Sequence, residues 1–200
     1  MSMNILIAGA TGKTGLHLVQ ELLDKGHKPT ALVREGSDTS RLPDGVSLRT
    51  GDLTDLPSNV CDGMDAVIFA AGSGGSTGPE MTDKVDRDGA KRLVDIAKDA
   101  GVSRFVMLSS VGADQENPEG KLAHYLKAKH EADEHLKTSG LKYAILRPVA
   151  LTDEGRSASV ILGQNVDKSA EATRSDVACL LAEAVITGCY DGQAVDMQSV

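Results

Sequence analysis

Two side chains that can exchange protons stand four residues apart in the middle of the chain. Tyr125 and Lys129 fall within residues 121–138, whose pattern predicts a long helix that Gly140 ends. Residues four apart share a helix face, and phenol and ammonium groups can act as general acids and bases. The spacing therefore makes the pair a candidate for catalysis. The alternative is that Tyr125 only covers an apolar face of the same helix, formed by Leu122, Leu126 and Leu136.

A glycine-rich turn near the start of the chain has the spacing of a phosphate loop. Gly9, Gly12 and Gly15 form a GxxGxxG pattern between an apolar strand, 4–8, and a helix, 14–25. The first glycine permits a tight turn, the second lets backbone approach a diphosphate, and the third lets helix and strand pack closely. Unpaired N–H groups at the helix N-terminus then point at the phosphates. The residues expected to bind a dinucleotide here are Gly9, Thr11, Gly12, Lys13, Thr14 and Gly15.

The end of the second predicted strand indicates which dinucleotide is bound. In this type of site an acid there holds the ribose 2′-hydroxyl of NAD, whereas a basic residue suits the 2′-phosphate of NADP. This chain has Arg34 directly after Val33, followed by Glu35. Arg34 therefore favours NADP(H), with Lys13 as possible support. If Arg34 is only solvated and Glu35 holds the ribose, the cofactor is NAD.

Two further strand ends supply candidate cofactor contacts. Asp52 follows the third predicted strand, where its carboxylate could accept the adenine amino group and Leu53 could flank the ring. Asp52 could equally cap the short segment after it. The fourth predicted strand ends in the small residues Ala70, Ala71 and Gly72, which let a ribose lie against backbone and also favour close packing.

Strands alternate with amphipathic helices along the chain, and this alternation predicts the fold. Strands are expected at 4–8, 30–33, 46–50, 66–71, 104–108 and 143–146, and helices at 14–25, 86–100, 121–138 and 175–187. Arg147-Pro148 is expected to end the sixth strand, and the weaker pattern beyond it suggests a short strand at 157–162 and an edge strand at 194–197. Such βαβ units predict an α/β, Rossmann-type, doubly wound parallel sheet in three layers, α/β/α. We expect one domain over 1–200, with 150–200 contributing a small substrate lobe and 72–78 forming a mobile loop.

Composition argues against several kinds of partner. The formal net charge of −8 and the absence of tryptophan disfavour a nucleic-acid surface, and the charge also disfavours an anionic membrane. Three cysteines without CxxC spacing predict free thiols in a reducing compartment, and the histidines form no metal-binding pattern. Without a signal-like or membrane-spanning segment the expected location is the cytoplasm. We expect a small-molecule substrate and a monomer or small homo-oligomer.

Taken together, the motifs resemble those of the short-chain dehydrogenase/reductase superfamily. In chain order they are GATGKTG at 9–15, Gly51-Asp52-Leu53, Ala70-Ala71-Gly72, Ser109-Ser110, the YLKAK segment at 125–129 and Leu146-Arg147-Pro148. The GATGxxG form, the short length and TRSDVA at 173–178 are similar to the atypical branch of that superfamily. This branch contains NAD(P)-binding relatives of sugar epimerases and dehydratases, NmrA-like proteins and flavin or biliverdin reductases. The resemblance covers nearly the whole chain.

The resemblance also implies catalytic roles. In the family the lysine lowers the tyrosine pKa and holds the nicotinamide ribose, and the tyrosine exchanges a proton with the substrate oxygen as hydride moves. Tyr125 and Lys129 would take these roles. A serine at the end of the fifth strand orients the oxygen; Ser110 fits that place with Ser109 nearer the cofactor, and Ser109 is the alternative. Backbone that contacts the carboxamide in the family corresponds to Pro148 and Val149.

The function expected from these residues is an NADP(H)-dependent oxidoreductase or an epimerase/dehydratase-like enzyme. Only about fifty residues follow Pro148, so the pocket is expected to be open and to suit a small carbonyl or hydroxyl compound. Two alternatives remain, a non-catalytic NADP(H)-binding redox sensor and a flavin or quinone reductase that needs no proton-donating tyrosine. The sequence does not identify the substrate.

Overall fold

The computed structural model of the chain describes residues 1–74, 77–157 and 159–200. Residues 75 and 76 of the predicted loop, and residue 158 of the predicted strand 157–162, lie outside the described residues. The strands are β1 (Asn4–Ala8), β2 (Lys28–Val33), β3 (Ser47–Thr50), β4 (Ala66–Phe69), β5 (Arg104–Leu108), β6 (Tyr143–Pro148), β7 (Ala150–Thr152), β8 (Val160–Leu162), β9 (Glu171–Thr173) and β10 (Gln193–Ser199). The helices are α1 (Lys13–Asp24), α2 (Pro79–Thr82), α3 (Ala90–Asp99), α4 (Ala123–Thr138) and α5 (Arg174–Thr187), with a π-helical segment Asp83–Gly89 and a 3₁₀ turn Gly163–Asn165.

The main sheet has the strand order of a doubly wound fold. In the described part of the chain it contains eight strands in the order β3-β2-β1-β4-β5-β6-β10-β8. All neighbours in it are parallel except β8, which runs antiparallel to β10. The order reverses between β1 and β4, and ligands of such sheets bind outside the carboxyl ends of the strands at this switch point. The predicted Rossmann-type architecture is confirmed.

Both faces of the sheet are covered, which explains why its central strands are apolar throughout. Ile5 and Ile7 of β1 pack on one side in a cluster with Leu18 of α1. Leu6, between them in the chain, packs on the other side in a cluster with Leu93 of α3. Successive side chains of a strand point to opposite faces, so a strand buried on both faces reads as an uninterrupted apolar run.

The carboxyl end of β6 and the last strand differ from the sequence prediction. The strand does not stop at Leu146 but runs through Arg147 to Pro148, which pairs with Met197 of β10 and whose carbonyl oxygen accepts from the Val111 N–H at 3.0 Å. Proline lacks only the N–H donor, so it can still accept a hydrogen bond in a sheet. The prediction that 194–197 forms an edge strand is wrong, because β10 lies between β6 and β8. Strands β7 and β9, which were not predicted, form a separate two-stranded sheet.

The helix expected at 86–100 begins earlier and contains a π-helical segment. Helices α2 and α3 and the π-helical segment between them follow one another without a break. A π-helical turn widens the backbone and is frequent at functional sites. Gly89, at its end, faces Leu53 so closely that a Cβ on it would lie 2.7 Å from the Leu53 carbonyl oxygen. The glycine therefore lets this helix approach the loop after β3.

Candidate functional site

The glycine-rich turn after β1 forms a tight backbone cradle. Gly9 has φ +88°, and a Cβ on it would lie 2.6 Å from the backbone of Ala70 at the end of the neighbouring strand. A Cβ on Gly15 would overlap the Gly9 carbonyl oxygen and lie 2.7 Å from the Ala10 backbone. Helix α1 begins after Gly12 with no side-chain cap, so none of the described side chains satisfies the N–H groups of its first turn. This cradle fits a dinucleotide diphosphate.

A cleft of about 770 Å³ opens beside this cradle, along the carboxyl ends of β1, β2, β3 and β4. It is lined by residues from all four strand ends, as the sequence predicts. The predicted cofactor-binding residues that line it are Gly9, Thr11, Gly12, Arg34, Asp52, Leu53, Ala70, Ala71 and Gly72. The fold therefore brings together candidates that are dispersed over the first third of the chain.

The opposite wall of the cleft was predicted only in part. It is formed by Ser73 and Thr77 from the loop after β4 and by Met81, Lys84 and Val85 from the helix that follows. Ser73 and Thr77 fall in the loop predicted at 72–78, whereas the other three residues precede residue 86, where the sequence predicts the helix to begin. Met81 and Val85 are four residues apart, and that apolar spacing was the signal available for an earlier helix start.

An adjoining hollow of about 670 Å³ continues the cleft past the end of β2. Arg34, Ser37 and Asp52 line both spaces, whereas Glu35 lines only the hollow. Arg34 is exposed at this junction. Its guanidinium is thus available to an anionic group placed between the two spaces.

Asp52 closes a turn and also lines the cleft. Its Oδ1 accepts hydrogen bonds from the Thr54 N–H and the Thr54 hydroxyl, both at 2.8 Å, and so closes the turn after β3. These bonds hold the pKa of Asp52 below its usual value, outweighing its partial burial. The residue also lines the cleft, so its carboxylate is ionised and held in a fixed orientation there.

Lys129 is buried behind the cleft at the end of β5. Its side chain is 3% exposed, and its Nζ lies 3.2 Å from Asp86 Oδ1 and 3.3 Å from the Leu108 carbonyl oxygen. The Tyr125 ring centroid lies 5.8 Å from the same nitrogen, so the predicted pair does share a face of α4. Burial by itself lowers the pKa of Lys129, but Tyr125 and Asp86 outweigh it and the pKa is raised above its usual value.

The two serines after β5 lie in different surroundings. Ser109 is 4% exposed, and its hydroxyl donates to Asp133 Oδ2 at 2.9 Å. The same oxygen accepts from Arg147 Nε at 3.1 Å and Nη2 at 2.9 Å, so Ser109 belongs to an internal network. Ser110 is half-buried, and its hydroxyl donates to the neighbouring Val111 carbonyl oxygen at 3.2 Å. Ser110 is therefore the more accessible of the two.

The remaining predicted cofactor residues surround the cleft without lining it. Lys13 forms an ion pair with Asp153, which Arg174 also binds at 2.6 Å. Thr14 and Gly15 are buried in the first turn of α1. Pro148 and Val149 are buried at the end of β6, with the Val149 N–H donating to Met197 O at 3.1 Å.

No group of three or more histidine, cysteine, aspartate or glutamate side chains in the described residues is placed to hold a metal ion. Over the same residues, no helix combines the length and apolarity needed to cross a membrane.

The fold and the cleft define a Rossmann-type protein that binds a nicotinamide dinucleotide. Comparison with known families agrees, because the family model described as NAD(P)H-binding matches residues 9–187. The chain belongs to this family, and its relatives place it with the atypical short-chain dehydrogenase/reductases.

Several relatives match over almost the whole chain. "Uncharacterized sugar epimerase YhfK" of Bacillus subtilis is 37% identical over 182 residues, which cover 88% of this chain and 85% of that protein. A solved structure from Bacillus halodurans, titled as a candidate NAD-dependent epimerase/dehydratase, has a TM-score of 0.91 at 34% identity and covers 100% of this chain and 95% of its own. The oxidoreductase ylbE from Lactococcus lactis has a TM-score of 0.86 at 32% identity, and the match covers 99% of this chain and 91% of that chain. These relatives carry names of epimerases and oxidoreductases.

Proposed function

We propose that this protein is an NADP(H)-dependent oxidoreductase that acts on a small carbonyl or hydroxyl compound, with Tyr125 as the proton-exchanging residue. The observation that carries the proposal is the placement of the Lys129 ammonium, 5.8 Å from the Tyr125 ring centroid. The two residues lie on one face of α4, at the edge of the sheet where the dinucleotide cleft opens. The name of the Lactococcus lactis relative, an oxidoreductase, supports the same class of reaction.

The dinucleotide would supply hydride, and the chain's own residues would hold the dinucleotide in place and supply a proton. The cradle of Gly9, Gly12 and Gly15 would hold the diphosphate through backbone N–H groups. The ammonium of Lys129 would stabilise the negative charge that develops on the Tyr125 oxygen as Tyr125 passes its proton to a substrate oxygen.

Ser110 and the small C-terminal lobe would hold the substrate. The Ser110 hydroxyl would orient the substrate oxygen, a role that Ser109 is less able to take because it donates to buried Asp133 at 2.9 Å. A hydroxyl donor beside a proton-exchanging phenol suits a substrate oxygen, so reduction of an aldehyde, a ketone or a quinone is the activity to assay first.

The test of the catalytic proposal is Tyr125→Phe, assayed with NADPH against panels of aldehydes, ketones, quinones and flavin. Loss of the phenol hydroxyl should lower turnover by about 100-fold or more, since general acid–base catalysis contributes at least that much. The affinity for NADPH should stay unchanged because Tyr125 does not line the cleft.

The matched control for this test is Tyr143→Phe. The Tyr143 hydroxyl donates to the Gly192 carbonyl oxygen at 3.2 Å, at the opposite edge of the sheet, so turnover should not change. If Tyr125→Phe keeps the wild-type rate with flavin or quinone, the tyrosine is not the acid and the protein is a flavin or quinone reductase. If no compound is turned over by the wild type, the protein is a dinucleotide-binding sensor.

The preference for NADP(H) over NAD(H) is the second part of the proposal, and Arg34 supports it. Arg34 lines both the cleft and the adjoining hollow, whereas Glu35 lines only the hollow. A guanidinium suits a phosphate because it offers several N–H donors in a planar fork. Ser37, which lines both spaces as well, adds a hydroxyl donor.

Arg34→Ala tests this preference by isothermal titration with each dinucleotide. Charge-assisted hydrogen bonds contribute about 1.5–3 kcal/mol, so the affinity for NADPH should fall by about 10- to 100-fold while the affinity for NADH stays the same. Arg41→Ala is the control, since Arg41 is exposed in the same loop but lines neither space. An equal loss of NADPH and NADH binding in Arg34→Ala would contradict the preference.

A further inference from the structure

The face of α4 that packs on the sheet continues past the end of the strands. Its buried members recur at the three- and four-residue spacing of one helix face: Lys129, Ala132, Asp133 and Leu136. The same spacing leads back towards the start of the helix, first to Tyr125 and then to Leu122. The Leu126 N–H donates to the Leu122 carbonyl oxygen at 2.8 Å, so Leu122 belongs to the first helical turn. One helix face therefore carries the proposed acid and, one turn before it, a leucine.

Leu122 is open to solvent although it lies on this packed face. Its exposed fraction is 62%, whereas that of Lys129, two turns further along, is 3%. Because β5 and β6 are parallel, the helix that connects them begins at the carboxyl edge of the sheet, beyond the last residues of the strands. The sheet therefore ends before it can cover Leu122, and this side chain faces the space above the carboxyl ends of β5 and β6.

Exposed large apolar side chains are few in the described part of the chain. Besides Leu122 they are Met1, Leu48 and Val200. Met1 and Val200 are the terminal residues, and Leu48 lies on the edge strand β3. Leu122 is thus the one of the four that stands within a helical turn of the proposed acid.

The loop that carries Ser110 packs on the same part of α4. Gly112 has φ +92°, and a Cβ on it would lie 3.2 Å from Leu126 Cδ1, so the glycine lets the loop approach the helix closely. Leu126 and Leu122, four residues apart, are neighbours on the helix surface. We call these two leucines the apolar ledge. It adjoins Tyr125 along the helix and reaches Ser110 through the contact with Gly112.

The loop that leads into α4 is acidic. Residues 113–121 carry three exposed carboxylates and one exposed ammonium, and the three negative charges and one positive charge give a net charge of −2: Asp114, Glu116, Glu119 and Lys121. A negative rim repels an anion that approaches the site. The charge of this loop therefore disfavours a substrate with a carboxylate or a phosphate group.

A substrate whose oxygen reaches Tyr125 must place its remaining atoms beside that residue. An apolar group placed there would cover the ledge, and the removal of apolar surface from water favours binding. A polyhydroxylated compound would lose hydrogen bonds to water at the same place without finding polar partners on the two leucines.

We propose that the apolar ledge selects the substrate: the protein acts on uncharged carbonyl or hydroxyl compounds that carry an aryl or alkyl group beside the reacting carbon, rather than on anionic or polyhydroxylated ones. This inference deepens the proposed function and rests on it for the position of the reacting oxygen. Binding to the ledge can be measured without turnover.

The test is a titration of the protein, with NADP⁺ in excess, followed by NMR of ¹³C-labelled leucine methyl groups. The probe is 2-acetylnaphthalene, an uncharged aryl ketone, and the Leu122 signals are assigned from their loss in Leu122→Ser. We expect the Leu122 methyl signals to shift and to saturate. The carboxylate-bearing analogue 6-acetyl-2-naphthoate and the polyhydroxylated ketone dihydroxyacetone should both bind more weakly.

Leu122→Ser also measures what the ledge contributes to binding. A fully buried leucine side chain contributes about 1.5–3 kcal/mol, and scaling by the exposed 62% predicts that Kd for 2-acetylnaphthalene rises by about 5- to 20-fold. Leu122 is the N-cap of α4, a position where serine is favourable, so the variant should fold. The matched control is Leu48→Ser, because Leu48 is 55% exposed on β3, and it should leave Kd unchanged.

Four results would overturn the inference. They are an unchanged Kd in Leu122→Ser, tighter binding of either polar analogue, shifts at Leu48 as large as those at Leu122, and the absence of any shift at Leu122. If the Leu122 signals respond to protein concentration rather than to the ketone, the ledge is an interface between copies of the chain, and the inference is overturned as well.

Turnover separates this inference from the proposed function. Ketone binding at Leu122 together with full turnover in Tyr125→Phe would refute the proposed acid and leave the ledge as a binding surface. Loss of turnover in Tyr125→Phe together with an unchanged KM for apolar substrates in Leu122→Ser would refute only the ledge.

Discussion

Replacing Gly12 by alanine places one methyl group at the floor of the dinucleotide cleft. Gly12 has φ −75° and ψ 168°, which alanine adopts without strain, and the only atom within 4 Å of the added Cβ in the described residues is the Gly9 carbonyl oxygen at 3.3 Å. We therefore expect the free energy of unfolding to change by less than about 1 kcal/mol. The methyl group nevertheless stands where a diphosphate must approach the backbone.

The expected loss of binding follows from the hydrogen bonds that the methyl group disturbs. Each charge-assisted hydrogen bond from a backbone N–H to a phosphate contributes about 1.5–3 kcal/mol. Losing one of them lowers the affinity for NADPH by about 10- to 100-fold. Isothermal titration gives the affinity, and urea denaturation gives the free energy of unfolding.

Gly15→Ala is the comparison variant, and its expected effect is on stability. A Cβ there would overlap the Gly9 carbonyl oxygen and lie 2.7 Å from the Ala10 backbone, against the 3.4–4 Å of ordinary contacts, so the backbone of the turn must move. Overpacking of this kind costs about 1–3 kcal/mol of unfolding free energy. If Gly12→Ala keeps both stability and wild-type affinity for NADPH, the backbone at residue 12 does not hold the diphosphate and the cradle has been misassigned.

Two further variants test contacts away from the cleft. Arg104→Met removes three hydrogen bonds, two to Asp191 at 2.7 and 2.8 Å and one to the Val185 carbonyl oxygen at 2.9 Å. It should lower the free energy of unfolding in urea by about 3 kcal/mol. NADPH affinity should not change, because β5 begins at the opposite edge of the sheet. Burial acts to raise the pKa of Asp176, but the hydroxyls of Ser157 and Ser199, both at 2.6 Å, outweigh it and the pKa is lowered. The stability that ionised Asp176 contributes is therefore complete above its unfolded pKa of about 3.9, and it is lost as the pH falls through the lower folded pKa. The difference in unfolding free energy between wild type and Asp176→Asn should therefore shrink below about pH 4. A constant difference between pH 6 and pH 3 would contradict this.

The candidate residues that the structure brings to the cleft are those whose signal is local in the chain. The strand, glycine turn and helix at 4–25 follow one another directly, so composition and spacing were enough to predict the cradle. Arg34, Asp52 and Ala70 were found because each follows a recognisable strand, and carboxyl ends of parallel strands meet at one edge of the sheet.

The parts that were missed depend on pairing between distant segments. Strand β6 was expected to stop at Leu146, but pairing with the neighbouring β10 extends it through Arg147 to Pro148. The π-helical segment and the wall at 73–85 arise where a helix packs against the loop after β3, with Gly89 against Leu53. The residue pattern within the π-helical segment or within residues 73–85 does not indicate that contact.

The sequence by itself determined the order of the elements, the phosphate-binding turn and the four-residue spacing of Tyr125 and Lys129, because these follow from backbone conformation and helix geometry over a few residues. Only the tertiary structure decided which buried charges meet, namely Asp86 with Lys129 and Asp133 with Arg147. The physical reason is that the energy of an ion pair depends on the distance and on the surrounding burial, and both are properties of the packed fold rather than of either segment.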